Sequence, residues 1–190
     1  KPDCLMQGHY DEMWGMAIHP KKNEFCSGAE DETLRVWDPE NRNIIAMAKT
    51  GGPIRCCAYS PDGDMIAVGF GGKFAKHKLS GKWLLLRGVV GNPKEDLSII
   101  HEPAHTRFER VSDIKFNPKG EKIAVANADN GIDVYTIKEV NGRTTTQRIC
   151  KFEGHSSFVI HVDWSADADK DPDVQRMFEE GRWGSYRPDG

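Results

Sequence analysis

Three stretches of the chain repeat one pattern, and that repetition limits the fold more than any single residue does. The first contains Trp14-Gly-Met-Ala-Ile-His-Pro20, Phe25-Cys-Ser-Gly-Ala-Glu-Asp31 and Thr33-Leu-Arg-Val-Trp-Asp38. The second contains Cys56-Cys-Ala-Tyr-Ser-Pro61, Met65-Ile-Ala-Val-Gly69 and Lys73-Phe-Ala-Lys-His-Lys78. The third contains Val111-Ser-Asp-Ile-Lys-Phe-Asn-Pro118, Lys122-Ile-Ala-Val-Ala-Asn127 and Ile132-Asp-Val-Tyr135. Superposing Pro20, Pro61 and Pro118 aligns everything after them without a gap. The first two prolines are 41 residues apart and the third is 57 further on, which leaves room for a surface insertion at about 88–101.

Each unit is built from short strands. Val111, Ile114 and Phe116 are apolar among polar neighbours, and Ile123-Ala-Val-Ala126 is an apolar run suited to a strand buried on both faces. Pro61-Asp-Gly63, Pro118-Lys-Gly120 and Asn141-Gly142 mark turns, because proline presets φ and glycine accepts a positive one. No window of twelve or more residues has a helical period, so the fold class is all-β. A repeat of roughly 40–45 residues made of four short strands is the period of WD-repeat β-propeller blades.

In the chain of 190 residues we expect a partial propeller over 1–167, with blades at about 14–48, 54–87 and 111–152 and a partial fourth unit from 154. Strand-like pieces flank the blades at 3–7 and 158–164. From Asp167 the sequence Asp-Ala-Asp-Lys-Asp-Pro-Asp173 cannot be a central strand, so 168–190 is expected to be a divergent acidic tail or a loop that wraps a neighbour. Three blades would leave raw sheet edges. The chain is therefore expected to be a piece of a larger protein that supplies the rest of the propeller.

The five cysteines include no CxxC pair, which points away from a disulfide framework or structural zinc and towards a reducing compartment. Cys56 and Cys57 are adjacent on a strand, so one is expected in the core and the other on the surface. No membrane-spanning apolar run is present. Neither cofactor nor metal is expected. Gly69-Phe-Gly-Gly-Lys73 lacks the Walker spacing, and His155 and His161 have no third ligand near in sequence.

Within the first unit His9, Ser27, Asp31 and Trp37 stand at the four positions that WD repeats use for a buried hydrogen-bonded chain. Asp31 would accept from His9, with Ser27 and Trp37 completing the set. The residues His, Asp and Ser also invite a hydrolase reading. Their recurrence at blade period, with no strained nucleophile turn, favours a structural device and a protein that is not an enzyme. In the second unit Thr50, Val68, Gly72 and Lys78 occupy the same positions. The third keeps Asp129, with Tyr135 in the aromatic place, and His155 restarts the pattern.

The phrases Gln7-Gly-His-Tyr-Asp-Glu-Met-Trp-Gly15 and Gly154-His-Ser-Ser-Phe-Val159, with the Asn141-Gly-Arg143 hairpin, resemble the echinoderm microtubule-associated-protein-like family, in the second half of its tandem atypical propeller. The resemblance covers about 5–167. It implies a non-enzymatic scaffold that docks tubulin, microtubules or associated proteins, in the cytoplasm on the cytoskeleton or in a ciliary axoneme. The alternative is a general adaptor propeller without direct tubulin contact, such as a ubiquitin-ligase substrate receptor or ciliary scaffold.

Charge offers one candidate docking face. The net charge of −3 argues against nucleic-acid binding. From Met65 to Lys94 there is no acidic residue, while Lys73, Lys76, Lys78, Lys82, Arg87 and Lys94 are basic. Lys76, Lys78 and Lys82 could meet an acidic partner such as the acidic tails of tubulin, or they could simply guard an edge strand. The blade mouths offer another face: Trp14, Glu30, Arg110 and Phe158 fall just before first strands or beside strand-connecting turns, with Asp11, Glu12 and Glu109 near them. Trp14 has a second reading, as packing at the start of its strand.

Overall fold

The computed structural model describes residues 7–71, 79, 81–87, 97–103 and 109–165. They form twelve strands: β1 (Met13–Ile18), β2 (Phe25–Ala29), β3 (Thr33–Asp38), β4 (Asn43–Lys49), β5 (Ile54–Tyr59), β6 (Met65–Phe70), β7 (Trp83–Arg87), β8 (Ser98–His101), β9 (Val111–Phe116), β10 (Lys122–Asn127), β11 (Gly131–Val140) and β12 (Arg143–Glu153). These make three four-stranded antiparallel sheets, β1–β4, β5–β8 and β9–β12, each in chain order. The described residues include no helix. This is the all-β propeller architecture that the repeat predicts.

The turns follow from their residues. Gly63 and Gly120 adopt φ of 88° and 76°, and each donates its N–H back across the turn, to Ser60 and Asn117. Asn141 and Gly142, at φ 52° and 73°, join β11 to β12 as a two-residue hairpin in which Val140 faces Arg143.

The core lies between sheets. Ile66, Val68 and Phe70 of β6 point with Leu84 and Leu86 into the layer shared with the first sheet, where Cys26, Leu34, Val36 and Ile54 meet them. Ala67 of β6 points the other way, with Trp83 and Leu85, onto Val111, Ile114, Ile123 and Tyr135 of the third sheet. The middle sheet is thus apolar on both faces. For that reason Cys56 and Cys57 are both buried, in different layers, where a core-and-surface split was expected.

Two positions show how closely the sheets approach. A Cβ on Gly28 would stand 2.2 Å from Ile54 Cγ2, and one on Gly69 would stand 2.5 Å from Val111 Cγ1. Both glycines lie eight residues after their repeat proline, and both contacts are with the residue seven before the next proline. The repeat therefore encodes the contact between sheets as well as the strands.

The second unit departs from the expected register. Its third strand is Trp83–Arg87, not 73–78: Leu86 pairs with Ile66 in the place that Trp37 holds opposite Phe25. The connection after β6 is longer than in the other units, and an ungapped superposition cannot detect that. The expected insertion at about 88–101 contains β8, the fourth strand of the same sheet, so this sheet runs from 54 to 101 and not to 87. The segment 158–164 forms no strand. It is tied to the third sheet by Val162 N–H donating to Asp113 Oδ2 at 3.2 Å and by the Trp164 indole donating to Lys115 O at 3.0 Å. Residues 3–6 and 168–190 lie outside the described residues.

Candidate functional site

His9, Ser27, Asp31 and Trp37 are brought together on the first sheet. Trp37 Nε1–H donates to Ser27 Oγ at 2.7 Å, Ser27 Oγ is 2.7 Å from His9 Nε2, and His9 Nδ1 is 2.9 Å from Asp31 Oδ2. An ionised Asp31 only accepts, so His9 donates from Nδ1 and its Nε2 receives the Ser27 proton. Every donor in the chain then has an acceptor. Thr33 adds donors to Asp31 Oδ1 from its backbone N–H at 3.0 Å and its hydroxyl at 2.7 Å, and Arg35 approaches Oδ2 at 3.5 Å. Burial alone would raise the Asp31 pKa, but the hydrogen bonds from Thr33 and His9 outweigh it and hold the carboxyl below its usual range. The glycine of the Gly8-His9 pair has a steric reason: a Cβ there would stand 2.4 Å from the Trp37 ring.

The other two residues assigned to this pattern differ from expectation. Asp129 is exposed in the turn between β10 and β11, and His155 is exposed before the unstranded 158–164 segment, so neither is buried as Asp31 is.

A second constellation lies at the ends of the first strands, β1, β5 and β9, where β1 packs against β5 and β5 against β9 between sheets. Each of them carries an irregularity at the same place. Ladder pairing jumps between Met13 and Gly15, between Ile54 and Cys56, and between Val111 and Asp113, leaving Trp14, Arg55 and Ser112 out of register. A bulge releases a side chain from strict alternation and re-aims it. Trp14, 43% exposed, donates its indole N–H to Glu30 Oε2 at 3.2 Å. The Arg55 guanidinium lies over the Trp14 ring, 4.0 Å from its centroid, and Arg110 lies 5.9 Å from the centroid of Phe158, itself 61% exposed. Trp14, Glu30 and Arg55 thus form one cluster and Arg110 and Phe158 another, and Trp14 is a half-exposed ring under a guanidinium.

Arg55 is the residue that sequence reasoning missed. It stands six residues before Pro61, as Trp14 stands six before Pro20, so the register itself was the available signal. Burial, and then the nearby charge of Arg110, holds its pKa below the ordinary value for arginine.

The basic strip is not assembled in the same way. Lys76 and Lys78 lie outside the described residues, and Lys82 Nζ is 3.3 Å from Glu102 Oε1 in an exposed ion pair.

Residues 13–170 match a family model described as the echinoderm microtubule-associated protein second beta-propeller. The chain belongs to this family. Among curated relatives, echinoderm microtubule-associated protein-like 2 of Rattus norvegicus is 34% identical over 164 residues, which is 86% of this chain and 23% of that protein. Echinoderm microtubule-associated protein-like 1 of Homo sapiens is 32% identical over 86% of this chain and 18% of its own length. The 77 kDa echinoderm microtubule-associated protein of Lytechinus variegatus is 32% identical over 87% and 22%. The chain therefore spans about a fifth of these relatives. The crystal structure of Saccharomyces cerevisiae Sqt1 superposes with a TM-score of 0.63 at 18% identity, covering 79% of this chain and 38% of that one, and supports the fold alone. Within this second-propeller segment Ser27, Asp31 and Trp37 of the buried chain and the mouth residues lie inside the matched region, and His9 precedes it.

Proposed function

We propose that this chain is part of a non-enzymatic scaffold on the microtubule cytoskeleton, docking tubulin or microtubule-bound proteins through the surface of Trp14, Glu30, Arg110 and Phe158. The relatives are named as microtubule-associated proteins, which supports the setting. The observation that carries the site is the pairing of exposed aromatic rings with guanidiniums, Arg55 with Trp14 and Arg110 with Phe158, since aromatic and arginine anchors dominate interface energies. Ser27 argues for the non-enzymatic reading: it is fully buried, and its oxygen is occupied by the Trp37 indole proton. A hydrolase would need that oxygen free to attack. Met16 and Ile18 of β1 are exposed on the face of the first sheet turned away from the second, a face suited to a further blade supplied by the parent chain.

The test is tubulin pull-down and microtubule sedimentation with the full-length parent protein. Trp14→Ala with Phe158→Ala is expected to weaken binding by about tenfold or more. Lys76→Glu with Lys78→Glu and Lys82→Glu is expected to leave it largely intact. Loss with the lysine variant alone would move the docking face to the basic strip. No binding by the parent protein would leave the general adaptor reading in its place, without direct tubulin contact.

A further inference from the structure

We propose that Arg55 and Arg110 form a carboxylate-binding pair, flanked by Trp14 and Phe158, that receives an acidic peptide segment across the second and third blades. The inference rests on the docking reading above and names the chemistry of its partner.

The Arg55 guanidinium and the Arg110 backbone are held where they stand. Arg55 is the bulged residue of β5, so its side chain leaves the ladder and lies back over the preceding blade's Trp14. Arg110 precedes β9. Its backbone carbonyl accepts from Ala128 N–H at 2.9 Å, and a Cβ on Gly71 would stand 2.4 Å from its own Cβ, so the second blade packs directly against it. Placing such side chains in advance removes part of the ordering cost of binding.

Gly71, which packs on Arg110, donates its N–H to Pro53 O at 3.1 Å, two residues before Arg55, so the two arginines stand on adjoining blades. Among the described residues neither guanidinium makes an ion pair. The nearest acid by its effect on Arg55 is Glu30, which also accepts the Trp14 indole proton. A guanidinium stacked on an aromatic ring uses its face for that contact and keeps its in-plane N–H groups for a ligand. Those groups form the planar fork that matches a carboxylate with two parallel hydrogen bonds. The flanking rings supply apolar contact for the stems of glutamate side chains. A peptide fits better than nucleic acid because the chain's net charge of −3 offers no bulk attraction to a polyphosphate.

The experiment uses the full-length parent protein and fluorescence anisotropy with labelled hexaglutamate, with hexaglutamine as the uncharged control. Hexaglutamate is expected to bind in a salt-sensitive way and hexaglutamine not to bind. Arg55→Gln with Arg110→Gln is expected to weaken hexaglutamate binding by about tenfold or more. Arg55→Lys with Arg110→Lys keeps the charge but removes the fork, and is expected to lie between the two. Unchanged melting temperatures for these variants exclude a folding cause; should the double glutamine variant melt early, Arg110→Gln alone carries the comparison. Equal binding of both peptides, or hexaglutamate binding indifferent to either arginine, overturns the proposal. Absence of hexaglutamate binding alongside tubulin docking that needs Trp14 and Phe158 overturns the carboxylate pair and leaves the docking reading standing. Loss of tubulin docking by the unaltered parent removes both.

Discussion

The indole N–H of Trp37 reaches Ser27 Oγ at 2.7 Å, and both residues are buried on the first sheet. Ser27 therefore links the third strand of its blade, through Trp37, to the entering segment, through His9. In Ser27→Ala the Trp37 N–H and His9 Nε2 both lose a buried partner. We expect a loss of about 1–3 kcal/mol of stability, read by chemical denaturation of the intact parent propeller. Trp37→Phe, which removes the donor but keeps most of the ring, should cost less.

Gly28 and Gly69 set the spacing between sheets. A Cβ at either position meets Ile54 or Val111 at well under contact distance. Gly69→Val should destabilise by about 1–3 kcal/mol through overpacking, with Gly28→Val similar. Trimming the obstacle, as in Gly69→Ala with Val111→Ala, should recover part of the loss relative to Gly69→Ala alone. Thermal melts of the four proteins would decide it.

His19 carries a pH dependence of definite sign. Its Nδ1 accepts N–H groups from Lys21 and Lys22 at 3.0 Å each, and its ring lies 5.0 Å from that of Tyr59. Burial lowers its pKa first, and Lys22 and Lys21 add to that, against Glu24 and Asp64. The unfolded chain thus takes up a proton near the ordinary histidine value of 6.5, while the folded chain resists until lower pH. Stability from this group is complete above that value and declines as pH falls through it. A histidine resonance for His19 titrating at or above 6.5 would contradict this.

The thiols should be sluggish. Burial raises the Cys56 pKa well above its ordinary value. For Cys26 the hydrogen bond to Cys57, at 3.7 Å, raises it first and burial next, while Cys150 is pushed up to about 11. Because the thiolate is the reactive form, iodoacetamide should label these cysteines slowly in the folded protein and fast in denaturant. Mass spectrometry would read the difference, and rapid labelling of Cys56 in the native state would refute it.

Much of the fold is legible in the repeat because its signals are local. Alternation places Ile66 and Val68 on one face and Ala67 on the other. Asn141-Gly142 supplies the positive φ that a two-residue hairpin needs. The mouth is partly legible too, since Trp14, Glu30 and Arg110 fall just before first strands or beside a strand-connecting turn. Register marks the position of Arg55, six residues before Pro61, but only the bulge and the packing of the two sheets turn its side chain onto Trp14.

By itself the sequence determined the strand period, the turn positions and the cast of the Asp31 chain, because each depends on side chains a few residues apart or on one repeated register. Only the tertiary structure decided that Trp83–Arg87 is the third strand of the second sheet, that Cys56 and Cys57 are both buried, and that the Arg55 guanidinium lies over Trp14. Those outcomes depend on which sheet covers which. A central sheet takes an apolar neighbour on both faces, and whether a residue in it meets solvent is settled by the blades on either side.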